Sequence, residues 1–145
     1  MKPQDFLTRE EQDMIVSAIK EAETNTSGEI RVHIDDVCGS DAYGKAVEVF
    51  RYLGMDRTRE RNGVLIYVAC SSKVFAIVGD KGINEAVPAD FWEEVSAHIK
   101  DCFSRGRFAE GISGAIRMAG CKLKEYFPYR TDDRNEQPDE ISYRK

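Results

Sequence analysis

Two polar stretches flank the most apolar part of the chain and contain the residues best suited to chemistry. Arg61-Asn62-Gly63 precedes one apolar run, and Gly79-Asp80-Lys81-Gly82 follows the next. If the two runs pair as a hairpin, Asn62 and Asp80 come to the same edge of a sheet. Their carboxylate and amide oxygens are ligands that calcium and magnesium prefer. The sequence predicts a cation site there, with the alternative that both positions are ordinary turn chemistry.

Strand direction adds further side chains to this edge. The segment Glu29–Asp35 alternates strictly between apolar and polar residues, which is typical of a strand with one wet face. A helix after Asp41 connects it to the first hairpin strand, so these two strands are predicted to run parallel and the third antiparallel. The edge then collects four predicted metal ligands, Asp80, Glu29, Asp56 and Asn62. Three further residues, Arg61, Thr58 and Glu85, are predicted to bind substrate or to form the rim of the site.

A second-choice site lies at the other end of the first strand. Asp35 and Asp36 end that strand, and the carboxyl ends of parallel strands commonly form a ligand crevice. They are a second candidate for binding a metal or substrate, although an Asp pair after a strand is also common turn chemistry. His33 and His98, the two histidines of the chain, have no partner at metal-ligand spacing and are expected on the surface.

The remaining patterns predict the layers that hold these residues. A capping box, Thr8-Arg9-Glu10-Glu11, precedes an amphipathic helix. One further helix is predicted after Asp90, and another begins near Phe108. The hairpin is apolar on both faces, so helices must cover both sides of the sheet. We expect a three-layer α/β/α sandwich with a small mixed central sheet. It forms one domain over residues 1–128, followed by a polar, disordered tail at residues 129–145.

The composition of the chain argues against several classes of protein. The chain has 145 residues and a net charge of −5, which argues against nucleic-acid binding. It has no apolar leader and no run long enough to cross a membrane, so a cytoplasmic protein without membrane association is expected. Its four cysteines include no C-x-x-C pair, which argues against a zinc ribbon. The oligomeric state is not predicted.

Three segments together resemble the TPM-domain family, whose named members include thylakoid-lumen proteins linked to photosystem II repair. They are residues 27–32 (SGEIRV), 61–68 (RNGVLIYV) and 78–83 (VGDKGI), within a match that spans residues 8–127. The resemblance implies an α/β/α sandwich, an acidic cleft for divalent cations, often calcium, and an acid-phosphatase activity proposed for some members. The chain is similar to the shorter soluble branch. It carries Asp80 where an aromatic residue is commoner, and its acidic residue is displaced to Glu85.

Two functional hypotheses follow. In the first, the rim binds calcium or magnesium and supports weak, metal-assisted phosphatase chemistry, with Arg61 balancing the charge of the phosphate. In the second, the domain is a non-enzymatic module for protein maintenance or repair, and the rim or the charged tail docks a protein partner.

Overall fold

Helices and strands make up most of the part of the chain that the computed structural model describes, which is residues 2–39, 41–129 and 141–143. Two short 3-10 helices, Pro3–Asp5 and Met55–Arg57, lie among them. The other described elements are, in order, α1 (Arg9–Glu23), β1 (Glu29–Asp35), α2 (Ala42–Tyr52), β2 (Gly63–Ala69), β3 (Val74–Gly79), α3 (Lys81–Ala86), α4 (Phe91–Ser104), α5 (Phe108–Tyr126) and β4 (Ser142–Tyr143).

Local signals in the sequence explain where the first two long helices begin. The Thr8 hydroxyl accepts from the Glu11 amide at 3.1 Å, and the Glu11 carboxylate accepts from the Thr8 amide at 2.9 Å. This capping box satisfies amides at the start of α1 that have no partner within the helix. Asp41 caps α2 by accepting from the Gly44 amide at 3.1 Å. Gly54, in the left-handed region at φ 73°, lets the chain turn after α2.

The sheet has four strands in the order β3-β2-β1-β4. β1 is parallel to β2 and to β4, whereas β2 and β3 form the antiparallel hairpin. The register pairs Glu29 with Gly63 at one end of β1 and Asp35 with Ala69 at the other. The mixed sheet that the sequence predicted is therefore present, with one extra edge strand.

Apolar side chains cover both faces of the sheet. On one face, Ile30, Val32 and Ile34 of β1 share a core with residues of α1, α4 and α5. On the other, Leu65 and Tyr67 of β2 pack with residues of α2. Helices thus lie on both sides of the sheet, and the predicted three-layer arrangement is confirmed.

The prediction that one face of β1 is exposed to solvent is wrong. Glu29, His33 and Asp35 are all buried, and Arg31 is half-buried. The reason is that this face, which β1 shares with Leu65 and Tyr67 through the strand register, is the one that α2 covers, and the polar side chains find partners inside the protein. His33, for example, bonds to both Asp35 and Ser142, and it is not the surface residue that its polar strand face suggested.

Part of the predicted tail belongs to the sheet. Ser142 pairs with His33 and Tyr143 with Ile34, so β4 forms an edge strand beside β1. Residues 130–140 and 144–145, on which most of the tail prediction falls, lie outside the described residues. None of the helices in the described ranges combines the length and apolar character needed to cross a lipid bilayer.

Candidate functional site

The strand register gathers the predicted edge residues at one end of the sheet. Glu29 begins β1 opposite Gly63 at the start of β2. The Asp80 amide donates to the Gly63 carbonyl at 2.9 Å, which brings the end of β3 to the same point. We call this end of the sheet, formed by Ser27, Glu29, residues 56–62 and Asp80, the rim.

Asp80 is held by an arginine and by the start of a helix. Its carboxylate accepts from Arg61 twice, from Nε at 2.7 Å and from Nη2 at 2.9 Å. It also accepts from the Lys81 amide at 2.8 Å and so caps α3. The hydrogen bond and the charge of Asp80, with a smaller contribution from Asp56, raise the pKa of Arg61. A bidentate guanidinium therefore neutralises the Asp80 carboxylate.

Asn62 connects the rim to its neighbours. Its amide donates to the Thr58 hydroxyl at 3.3 Å, and its side-chain Nδ2 donates to the Ser27 hydroxyl at 3.2 Å. Ser27 in turn donates to the Glu60 carboxylate at 3.3 Å. Sequence reasoning missed Ser27 and Glu60 as site residues, although both lie beside residues that it singled out. Together these contacts hold the Asn62 carbonyl oxygen and the Glu60 carboxylate near the start of β2.

Gly82 allows α3 to pack closely against the rim. Its amide donates to the Arg61 carbonyl at 2.7 Å. A Cβ at this position would lie 2.2 Å from the Glu60 carbonyl oxygen and 2.6 Å from that of Arg61. Because both atoms belong to the backbone, they cannot turn aside, and only glycine lets α3 approach the 56–62 segment so closely.

The carboxylates predicted to bind a cation are spread along the rim. Asp56, a predicted metal ligand, is half-buried in the Met55–Arg57 turn, whereas Glu85, predicted as a substrate or rim residue, is exposed on α3. Within residues 2–39, 41–129 and 141–143, no three His, Cys, Asp or Glu side chains lie close enough to hold a metal ion. A cation at the rim would therefore need hydroxyl, amide or backbone oxygens among its ligands.

Asp35 and Asp36, the second-choice site, differ in their surroundings. Asp35 is fully buried, and its carboxylate accepts from the Tyr67 hydroxyl at 2.7 Å. Its other oxygen lies 3.0 Å from His33 Nε2. Asp36 is half-buried, and its carbonyl accepts from the Ser71 amide at 2.8 Å. Asp35 thus belongs to a network of side chains that the sequence pattern did not reveal.

Comparison with known proteins identifies the family. A sequence profile of the TPM domain matches residues 1–121, which is most of the chain. The chain belongs to the TPM domain family. A comparison with curated proteins finds no match.

Solved structures share the fold of this domain. This TPM domain is similar to the BA42 protein from the psychrophilic bacterium Bizionia argentinensis, solved by NMR. The two are 48% identical, the match covers 98% of each chain, and the TM-score is 0.89. An N-terminal domain from P. gingivalis matches at 15% identity over 87% of this chain and 83% of its own, with a TM-score of 0.68.

A third solved structure extends the likeness to a more distant protein. The N-terminal domain of the cg2496 protein from Corynebacterium glutamicum matches this TPM domain at 13% identity, over 81% of this chain and 74% of its own, with a TM-score of 0.64. At 15% and 13% identity, the likeness to these two N-terminal domains concerns the fold alone.

Proposed function

We propose that this TPM domain binds a divalent cation, calcium or magnesium, at the rim. The observation that carries the proposal is the burial of oxygen-bearing polar side chains at one end of the sheet. Most of these groups are paired within the protein, and their oxygen atoms are gathered at one end of the sheet, where a hard cation would share them. Five of them are at least nine-tenths buried here, with exposed fractions of 9% for Ser27, 2% for Glu29, 5% for Thr58, 1% for Asn62 and 7% for Asp80.

The chemistry of these groups favours a hard cation. Glu29 and Glu60 supply carboxylates, and Asn62 and the neighbouring backbone supply carbonyl oxygens, which are the donors that calcium and magnesium take in proteins. The net charge of −5 adds a long-range attraction for cations. Histidine and cysteine, which suit transition metals, do not occur between residues 54 and 69 or between 78 and 85.

The ion pair with Arg61 determines whether Asp80 is available as a ligand for the cation. While the guanidinium holds both carboxylate oxygens, Asp80 has little capacity left for a metal ion. The Arg61 side chain is 49% exposed, so it can move into solvent and release Asp80. We therefore propose that Glu29, Glu60 and Asn62 bind the cation first, and that Asp80 and Asp56 contribute to its affinity through charge or after Arg61 departs.

A titration with calcium and with magnesium tests this proposal. We expect the amide signals of residues 27–29, 60–63 and 80–82 to shift in the NMR spectrum of labelled protein. Glu29→Gln should weaken binding by at least tenfold, whereas Glu94→Gln, an exposed position on α4, should leave it unchanged. Arg61→Gln should strengthen binding if Asp80 is a ligand. Absence of any shift at the rim with millimolar metal would refute the proposal.

Phosphomonoester hydrolysis is the activity that such a site would support. A cation held by these residues would polarise a phosphoryl oxygen and would lower the pKa of the water bound to it. Arg61 would bind the phosphate through its two-pronged guanidinium after leaving Asp80. Hydrolysis of 4-nitrophenyl phosphate should then require added cation and fall by at least tenfold in Arg61→Gln. A rate that chelator and this substitution both leave unchanged would contradict the activity without affecting the binding proposal.

One observation favours the alternative, a non-enzymatic protein-interaction module. Tyr52 and Tyr43 of α2 are 88% and 55% exposed, and Val37 in the preceding loop is also exposed. Exposed aromatic side chains are enriched where proteins bind partners. A photoreactive amino acid at position 52 should cross-link a defined partner in cells, and the same group at exposed Glu94 should not. Equal cross-linking from both positions would argue against a docking surface on α2.

A further inference from the structure

Three side chains at the boundary of β1 and β4 form a continuous hydrogen-bonded chain. The Ser142 hydroxyl lies 2.9 Å from Nδ1 of His33, and Nε2 of the same ring lies 3.0 Å from an oxygen of Asp35. The strand register creates this contact, because Ser142 pairs with His33 across the parallel strands. A hydroxyl, an imidazole and a carboxylate in this order are the parts of an activated serine nucleophile.

The carboxylate determines how the imidazole is protonated. Asp35 is fully buried and accepts from the Tyr67 hydroxyl at 2.7 Å through its second oxygen. An ionised carboxylate can only accept hydrogen bonds, so Nε2 of neutral His33 must carry the proton that points to Asp35. Nδ1 then presents its lone pair to Ser142 and accepts the hydroxyl proton. The Tyr67 ring, nearly parallel to the His33 ring at 6.0 Å, helps to fix the imidazole plane.

A cavity lies beside Ser142, at one end of this series of hydrogen-bonded side chains. Its volume is about 660 Å³, which is within the range of small-molecule sites. His33 and Ser142 line it from the sheet, and Lys45, Glu48 and Arg51 line it from α2. Among the described residues, two cationic side chains against one carboxylate give the charged lining a net positive balance. The cavity therefore suits a small molecule that carries a negative charge.

We propose that Ser142, His33 and Asp35 form a hydrolase site for small carboxylic esters that carry an anionic group. The site is separate from the rim and does not depend on a cation there. His33 lies four residues beyond Glu29 on β1, which at the rise of a strand is about 13 Å. Ser142 is the nucleophile, His33 the general base, and Asp35 the positioning residue that holds the imidazole tautomer.

The reaction needs only the ester and water. Ser142 Oγ attacks the acyl carbon while its proton passes to Nδ1 of His33, and the cationic surroundings of Lys45 and Arg51 stabilise the oxyanion. The ester bond then breaks, and the alcohol leaves with the proton from His33. Water attacks the acyl-serine, giving a proton to His33. Collapse of that intermediate releases the carboxylic acid, and His33 returns the proton to Ser142 Oγ.

Labelling with a fluorophosphonate probe tests the nucleophile directly. The serine oxygen displaces fluoride from phosphorus, and we expect a single adduct that peptide mapping locates at Ser142. Ser142→Ala should abolish it, whereas Ser104→Ala, an exposed serine at the end of α4, should not. His33→Gln should slow labelling by about 100-fold or more. Absence of an adduct in the folded wild-type protein would overturn the proposal.

Ester hydrolysis tests the substrate class and the role of Asp35. The monoanion 4-nitrophenyl hydrogen succinate should react faster than 4-nitrophenyl acetate, and Lys45→Gln should reduce that preference. Asp35→Asn should lower kcat and shift the pH profile of the reaction, which a purely structural role would not do. Hydrolysis that is equal in wild type and Ser142→Ala would overturn the proposal. A third result would also overturn it. If the probe does not label the wild type, and His33→Gln does no more than disturb the β4 amide signals, the network is structural.

Discussion

Replacing Tyr67 with phenylalanine tests the electrostatics of the buried network on β1. The Tyr67 hydroxyl donates to Asp35 at 2.7 Å, and both residues have no exposed surface. The substitution keeps the ring and its apolar contacts, so the area buried on folding scarcely changes. The substitution removes only the hydroxyl that donates a hydrogen bond to the buried carboxylate of Asp35.

The expected cost follows from the charge and burial of the acceptor. A hydrogen bond to a charged group contributes about 1.5–3 kcal/mol, against roughly 1 kcal/mol for a neutral pair. Water cannot readily replace the donor, because Asp35 is 0% exposed. We therefore expect Tyr67→Phe to lower the free energy of unfolding by about 1.5–3 kcal/mol.

Urea unfolding followed by circular dichroism provides the measurement. With a slope of about 2 kcal/mol per molar urea, the midpoint should fall by roughly 1 M. Tyr43→Phe is the matched control, since Tyr43 is 55% exposed and its loss of a hydroxyl should cost less than about 0.5 kcal/mol. In an Asp35→Asn background the effect of Tyr67→Phe should shrink. Equal stability of the Tyr67→Phe and Tyr43→Phe variants would refute the reasoning.

Three further predictions concern other parts of the structure. Gly82→Ala should destabilise the protein by about 1–3 kcal/mol in the same urea assay, because its Cβ meets two backbone carbonyls, and exposed Lys81→Ala is the control. Thr8→Ala removes the capping bond of α1 and should cost about 1 kcal/mol, measured by thermal unfolding; no change would exclude the cap. Burial raises the pKa of Tyr143, so β4 pairing is fully stable below pH 10 and weakens as pH rises through the folded pKa. The methyl signals of Ile34, which pairs with Tyr143, should report this alkaline release, and Tyr143→Phe should remove their pH dependence.

The strands and long helices were predictable because their signals are local. The capping box at Thr8 and the polar-apolar alternation of residues 29–35 depend on spacing along the chain. The short helix α3 was missed because Asp80-Lys81-Gly82 has the composition of a turn, and only the contact of Gly82 with the 56–62 segment explains its position. β4 was missed because a two-residue strand in a polar stretch has no local signal.

The candidate site shows the same division. The gathering of Glu29, Asn62 and Asp80 followed from strand direction, which the sequence pattern was sufficient to predict. The Arg61–Asp80 ion pair was not predictable, because Arg61 adopts a left-handed backbone at φ 53°, which side-chain-bearing residues rarely take and which no local pattern indicates. Alternation predicted the face of β1 on which His33 lies but not its burial. Its partner Ser142 lies on β4, in a part of the chain more than 100 residues later.

The polar face of β1 connects the two proposed sites. Glu29, Arg31, His33 and Asp35 point to the same side of the strand because side chains alternate in β structure. A strand between two others would be more stable with apolar residues on this face, since each buried polar group needs a partner to offset its desolvation. The chain instead keeps a glutamate at the rim, a histidine about 13 Å further along the strand and an aspartate about 20 Å along it. Neither end needs the other for its contacts, so the rim and the Ser142 network can be tested separately, and failure of one proposal leaves the other standing.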